Sequence, residues 1–196
     1  RGLNSTMSDI NNKKVNIRSN AVRLAECAVF VVLMVIGAFL HIPFFPVPLT
    51  FQTVISVLAG LLLGPWYGGG AVLVYIFMGL CGLPVFASGG GFSYVVNPTF
   101  GFLLGFAAAA FVSGLIARGE KLSIVRACVA ALCGFVVNYL IGAPYLMLIW
   151  VYYMHNGNVL QTFIVYVVLY LPKDFVLCLL AAVLAWRVRP LLRRMR

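Results

Sequence analysis

Residues 98–117 read PTFGFLLGFAAAAFVSGLIA, a run of twenty positions without a charged side chain. A helix needs about 20 apolar residues to cross a bilayer, so this stretch predicts a transmembrane helix. Five further apolar runs flank it, and they predict an all-α membrane protein built as a bundle of six transmembrane helices. We expect these other helices at about 20–40, 49–63, 67–83, 124–150 and from Pro172 to about Arg189.

The composition supports this assignment. Of 196 residues, 63% are hydrophobic and 9% are charged, and the mean hydropathy is +1.06. A soluble domain carries about 25% charged residues, so a soluble globular protein is excluded, as is a disordered chain. We expect one membrane domain at 20–190, a polar cytoplasmic N-terminus at 1–19 and a basic cytoplasmic tail at 191–196. Within the N-terminus, residues 1–6 are expected to precede the natural start at Met7.

The net charge of +10 would suggest a nucleic-acid partner in a soluble protein. In a membrane protein it indicates orientation instead, because lysine and arginine accumulate on the cytoplasmic side. With six spans, 13 of the 14 basic residues fall on the side that carries both termini, which is therefore predicted to be the cytoplasm. The remaining one is Lys173. The loops predicted on the opposite side, at 41–48, 84–97 and 151–171, carry no charge.

Asp174 is the main candidate for a functional residue, because an ionisable group inside a membrane segment is energetically costly. The alternative is that Lys173 and Asp174 cap the sixth helix at the water boundary. We expect residues 158–171, just before it, to form a separate apolar, helical element at the membrane face. The two histidines and five cysteines show no metal-ligand spacing, so no metal site is expected.

The segment 84–97 is the second candidate. Its glycines let the backbone approach a ligand closely, its aromatic side chains offer apolar walls, and its asparagine can both donate and accept hydrogen bonds. The alternative is a flexible hairpin between two spans. A phosphate site is not expected, because no P-loop lysine is present. The residues concerned are Phe86, Gly89, Gly90, Gly91, Phe92, Tyr94 and Asn97.

Small residues recur four positions apart, a spacing that lets helices pack closely in lipid. Gly101 and Gly105 show this spacing, and we expect such stripes to serve packing within the bundle. Ala21 and Ala25 also show it, at the cytoplasmic end of the first span, where a partner protein could bind.

Three stretches resemble the BioY family, the biotin-specific S-components of energy-coupling factor (ECF) transporters. They are VPLTFQTVISVLAGLLLGP, GLPVFASGGGFSYVVNPTFGFLLGF and YLPKDFVLCLLAAVLA. The resemblance covers about residues 20–190. It implies a non-enzymatic six-helix S-component in a prokaryotic cell membrane that binds biotin from outside and uses no cofactor. It also implies partnership with a membrane T subunit, at a face that Ala21 and Ala25 match, and with two ATP-binding subunits.

The resemblance also implies roles for single residues. Asp174 occupies the acid position of the family and would accept hydrogen bonds from the ureido N–H groups of biotin. Asn97, in the loop after the glycines, would hydrogen-bond the same ring, while Phe86, Phe92 and Tyr94 would surround the fused rings. Secondary candidates are Thr50 and Gln52 at the start of the second span and Asn138 and Tyr139 in the fifth.

One departure concerns the sequence around the acid. The family commonly reads Pro-Gly-Asp with a lysine three residues later, whereas here Lys173 replaces the glycine and Leu177 replaces the lysine. Either Lys173 supplies the ammonium group for the biotin carboxylate from a shifted position, or it faces lipid headgroups. We favour the first interpretation.

Three alternatives stay open at this point. One is a stand-alone facilitator, although we find no clear internal repeat or ionisable relay. Another is an S-component for a different vitamin. The third is an intramembrane enzyme, such as a serine protease or an acyltransferase, with Ser93 as nucleophile, although Ser93 lacks the second glycine of a nucleophile elbow.

Overall fold

The computed structural model describes residues 2–42, 49–119, 121–153, 163–168 and 170–195. Six α-helices dominate this described part, as the apolar runs predicted. Their bounds are α1 Gly2–Phe39, α2 Gln52–Leu63, α3 Pro65–Leu80, α4 Phe100–Ile116, α5 Ile124–Tyr152 and α6 Leu171–Met195. The shorter elements are the antiparallel pair β1 (His41–Ile42) and β2 (Leu49–Thr50), a 3₁₀ turn at Phe92–Val96 and a π-helical turn at Ile164–Val168.

The helices differ from the predicted spans mainly in length. Asn20–Phe39 of α1, all of α5 and Leu171–Leu192 of α6 are long and apolar enough to cross a membrane. The other three helices are apolar but have 12, 16 and 17 residues, fewer than the roughly 20 of a full perpendicular span. Helix α1 begins well before residue 20, and α6 continues beyond 190. Most of the element predicted at 158–171 lies outside the described residues or in the π-helical turn.

Helices α2 and α3 form a tight hairpin at Gly64. This residue has a φ of +85°, a conformation that glycine adopts without strain, and Pro65 then starts α3 at a position where its missing N–H is tolerated. The two helices touch directly, since a Cβ atom added at Gly68 would lie 2.8 Å from the Ala59 carbonyl oxygen. The hairpin therefore buries much of α2.

Helices α4 and α5 pack backbone to backbone along the glycine stripe that the spacing predicted. A Cβ atom added at Gly101 would lie 2.3 Å from Cβ of Tyr145, and one at Gly105 would lie 2.4 Å from Oδ1 of Asn138. Such contacts replace the hydrophobic force that is absent between helices in lipid. The seam fixes which face of α5 is turned towards α4.

Two arginines satisfy carbonyl groups at the C-terminal end of α4. Arg189 of α6 donates from Nη1 to the Ala117 carbonyl at 2.6 Å, and Arg126 of α5 donates from Nε to Ile116 at 2.7 Å. Cations are favoured there because the last carbonyls of a helix lack partners and carry partial negative charge. At this end of the bundle α4 is thus held to both following helices.

Candidate functional site

A cavity that opens to the surroundings, with about 530 Å³ of empty space when the open part is included, lies between α2, α4, α5, α6 and the segment that follows α3. Its polar residues lie near the N-terminal ends of α2, α4 and α6 and in the middle of α5. Apolar residues of α4 form part of the wall. The lining residues are Thr50, Gln52, Thr53, Ala87, Tyr94, Thr99, Phe102, Leu103, Phe106, Tyr139, Tyr170, Lys173 and Asp174.

The carboxylate of Asp174 is the main buried charge in this cavity. The residue is 4% exposed, in the first turn of α6, where an acid is favoured by the helix dipole. Its Oδ2 atom accepts hydrogen bonds from the hydroxyl groups of Tyr139 at 2.7 Å and Thr53 at 3.2 Å. These two donors hold the carboxylate in one orientation.

Lys173 neutralises this carboxylate from one side. Its Nζ atom lies 2.9 Å from Asp174 Oδ1 and donates a hydrogen bond to the Thr50 carbonyl at 2.7 Å. The ammonium group also lies 5.9 Å from the ring centroid of Phe51. It is therefore an anchored group at the cavity wall.

The Oδ1 atom of Asp174 is buried and has no hydrogen-bond partner among the described residues. Lys173 Nζ forms an ion pair with this atom at 2.9 Å and also donates a hydrogen bond to the Thr50 carbonyl. A carboxylate oxygen can accept more than one hydrogen bond, so this atom can receive a donor from a ligand if Lys173 makes room for it.

Gln52, in the first turn of α2, lies on the cavity wall at 2% exposure. Its Nε2 group donates to Tyr75 Oη at 2.7 Å and to the Met34 carbonyl at 3.4 Å. The Tyr75 hydroxyl in turn donates to the Val85 carbonyl at 3.1 Å. This chain of hydrogen bonds ties α2 to α3 and to the start of the segment 84–97.

Asn97 lies in the turn that starts α4. Its Oδ1 atom accepts from the backbone N–H of Thr99 at 3.0 Å and from the Thr99 hydroxyl at 2.8 Å. The same hydroxyl is 3.0 Å from Tyr94 Oη. Tyr94 and Thr99 line the cavity, whereas Asn97 supports them from behind.

The three glycines shape the segment 84–97 and do not line the cavity. Gly89 and Gly91 have φ values of +110° and +105°, and a Cβ atom at Gly90 would lie 2.1 Å from the Leu83 carbonyl oxygen. Phe86 is buried and its backbone pairs with Gly89, so it packs below the hairpin. Phe92 is 78% exposed and does not line the cavity.

The other predicted residues are placed as follows. Asn138 is 1% exposed against Gly105, and neither polar atom of its side chain has a partner among the described residues. It does not line the cavity. Ala21 and Ala25 are exposed on α1.

Several cavity residues were not predicted from the sequence. They are Thr53, Ala87, Thr99, Phe102, Leu103, Phe106 and Tyr170. Only Thr53 could have been found from the sequence, because it follows the predicted Gln52 and the two form a polar pair at the start of an otherwise apolar helix. The others are apolar or common residues in apolar runs, where nothing in the sequence separates a cavity wall from a lipid contact.

Known proteins resemble this chain over most of its length. The family model of the BioY family matches residues 10–194. A probable biotin transporter BioY of Lysinibacillus sphaericus is 39% identical over 183 residues, which cover 91% of this chain and 92% of the relative. The biotin transporter BioY of Thermotoga maritima is 35% identical over 170 residues, covering 86% and 96% of the two chains.

Solved structures share the fold. The crystal structure of the S-component for biotin from an ECF-type ABC transporter superposes with a TM-score of 0.65 at 24% identity, covering 92% of this chain and 94% of that one. The crystal structure of FolT bound with folic acid gives a TM-score of 0.57 at 19% identity, covering 83% and 88%. The helical bundle is thus that of an ECF S-component, and by its sequence the chain belongs to the BioY family.

Proposed function

We propose that this chain is the biotin-binding membrane subunit of a biotin importer, which captures biotin from outside the cell. The observation that carries the proposal is the buried carboxylate of Asp174 on the wall of the cavity, where Tyr139 and Thr53 donate to Oδ2 and Lys173 forms an ion pair with Oδ1. The names of the relatives support the ligand, and as names of transporters they agree with a protein that performs no enzymatic reaction.

The chemistry of biotin suits this wall. Its ureido ring carries two N–H donors, and a hydrogen bond from one of them to a carboxylate is charge-assisted and therefore strong. Tyr139 and Thr53 both bind Oδ2, so a shift of Lys173 away from Oδ1 would free that oxygen for the ligand. Phe102 and Phe106 offer apolar surface for the fused rings and the aliphatic chain.

Lys173 supports binding of the other end of biotin. Its ammonium group lies at the cavity wall and is held by the Thr50 carbonyl and by Asp174. A shift of this side chain would bring its charge to the carboxylate of the ligand, replacing the lysine that the family usually has at the position of Leu177. Both ends of biotin would then be recognised from the first turn of α6.

Transport requires partners in this proposal. No P-loop sequence is present, so energy would come from two ATP-binding subunits through a membrane T subunit in the plasma membrane. Ala21 and Ala25 are exposed on α1 and leave a shallow surface suited to close contact with a helix of the T subunit.

The test is titration calorimetry of the purified full chain in detergent or nanodiscs with biotin, thiamine, riboflavin and folate. We expect binding of biotin, and at least tenfold weaker binding by Asp174→Asn, because its amide places a donor among the N–H donors of the ligand. Glu26→Gln on α1, outside the cavity wall, is the charge-matched control. Absence of biotin binding by the unaltered chain, or full affinity of Asp174→Asn, would overturn the proposal.

The partnership is tested separately. Vesicles that contain this chain alone should bind biotin without accumulating it, and uptake should require the T subunit, both ATP-binding subunits and ATP. Uptake by the chain alone would instead favour a stand-alone facilitator.

A further inference from the structure

The orientation of the Gln52 amide is fixed by the groups around it. The Tyr75 hydroxyl has one proton, which it donates to the Val85 carbonyl, so its oxygen can only accept from Gln52. The Met34 carbonyl is also only an acceptor. The NH₂ end of the amide satisfies both neighbours, whereas a flipped side chain would set Oε1 against the Met34 carbonyl and would draw the Tyr75 proton away from Val85.

This arrangement leaves Oε1 as the atom that Gln52 can offer. In the described part of the chain no hydrogen bond to Oε1 is found, and the residue lies on the cavity wall. Thr53, the next residue, donates to Asp174. Gln52 Oε1 and Asp174 Oδ1 thus belong to residues on adjoining parts of the cavity wall, and in the described part of the chain neither accepts a hydrogen bond, although Lys173 forms an ion pair with Asp174 Oδ1.

We propose that Gln52 is a second recognition residue and that Tyr75 is its positioning residue. Gln52 Oε1 accepts one N–H of the ligand while Asp174 Oδ1 accepts the other, so the site selects cyclic ureas that carry two N–H donors. The inference rests on the proposed function, because it assigns a further contact in the same cavity. Tyr75 is fully buried and does not line the cavity; it acts by holding the amide so that its oxygen faces the ligand.

The test combines variants with ligands. Biotin is compared with two cyclic carbamate analogues, each with one ureido N–H replaced by an ether-type oxygen. We expect each analogue to bind the unaltered chain roughly tenfold more weakly than biotin does, because one buried acceptor loses its donor. In Gln52→Met, biotin should bind roughly tenfold more weakly, and one of the two analogues should show no additional loss. The other analogue should keep its full penalty, which reports the contact with Asp174.

Tyr75→Phe tests the positioning role. With the hydroxyl absent the amide can rotate, so we expect a roughly threefold to tenfold loss of biotin affinity. The analogue that shows no additional loss in Gln52→Met should here lose less affinity, relative to biotin, than it does in the unaltered chain. Tyr152→Phe, which removes an exposed hydroxyl at the end of α5, should change neither quantity. If Gln52→Met does not fold, this selective change in Tyr75→Phe decides the question.

The outcomes separate the two proposals. The role of Gln52 and Tyr75 would be overturned if each analogue lost the same affinity, relative to biotin, in Gln52→Met and Tyr75→Phe as in the unaltered chain. This holds even if biotin binds strongly and its binding depends on Asp174. Failure of the unaltered chain to bind biotin would instead overturn the proposed function itself.

Discussion

Tyr139 donates its hydroxyl proton to Asp174 Oδ2 at 2.7 Å, across 35 positions of sequence, and so joins the middle of α5 to the start of α6. The ring of Tyr139 packs edge-on against Phe102 at a centroid distance of 5.7 Å, which places the hydroxyl group at the boundary between the apolar and the charged part of the cavity. This contact orients the carboxylate on which the proposed function depends.

Replacing Tyr139 with phenylalanine should therefore weaken biotin binding. The carboxylate would lose one of its two hydroxyl donors, and a hydrogen bond to a charged group contributes about 1.5–3 kcal/mol. Partial compensation by Thr53 leads us to expect a roughly tenfold rise in Kd in titration calorimetry. Tyr152→Phe is the control. An unchanged Kd for Tyr139→Phe would show that the orientation of Asp174 does not depend on this bond.

Lys173→Met should reduce the preference for a free carboxylate. If the ammonium group binds the acid of biotin, the unaltered chain should bind biotin more tightly than biotin methyl ester, and the variant should bind the two ligands with similar affinity. Methionine preserves much of the apolar stem and removes only the charge. The measurement is the ratio of the two Kd values. A ratio that is the same in both proteins would restrict Lys173 to its contacts with Asp174 and Thr50.

Gly105→Ala should destabilise the bundle. The added Cβ atom would lie 2.4 Å from Asn138 Oδ1 and 2.8 Å from its backbone oxygen, so α4 and α5 would have to separate. Overpacking of this kind costs about 1–3 kcal/mol. We expect a lower midpoint of thermal unfolding in detergent. Gly70→Ala is the matched control: no atom lies within 4 Å of its added Cβ, and alanine favours the helix, so its midpoint should stay equal or rise.

Gly90→Ala should impair the cavity through the backbone of the segment 84–97. Its Cβ atom would lie 2.1 Å from the Leu83 carbonyl oxygen, which forces the hairpin to shift. Because Ala87 and Tyr94 of this segment line the cavity, we expect biotin affinity to fall several-fold. Ser88→Ala alters an exposed side chain of the same hairpin and should bind as the unaltered chain does. Equal affinity of both variants would contradict a role for the hairpin.

The helices could be predicted because each apolar run ends at polar or helix-breaking residues. The start of α5 is an example: Ser123 accepts a hydrogen bond from the backbone N–H of Arg126 at 3.3 Å, as an N-cap residue does. Asp174 could be singled out because a charged side chain within an apolar run is costly in a membrane and is rare away from functional sites. Gln52 and Tyr139 were named with it and line the cavity, although their roles in binding stay predictions.

The inner faces of the helices could not be predicted. In a membrane protein the lipid-facing and the buried sides are both apolar, so the periodicity that marks the core of a soluble protein is weak. Tyr75 and Phe77 illustrate this, since one is fully buried and the other is exposed although both lie in the same apolar run. The contact between Thr53 and Asp174, 121 positions apart, likewise has no local signal.

The ion pair of Lys173 and Asp174 has a mechanical consequence. Lys173 holds the backbone of Thr50, just before α2, and Asp174 is held by side chains of α2 and α5. A ligand that binds to Lys173 or to Asp174 therefore competes with these contacts, and its binding weakens the links between α2, α5 and α6.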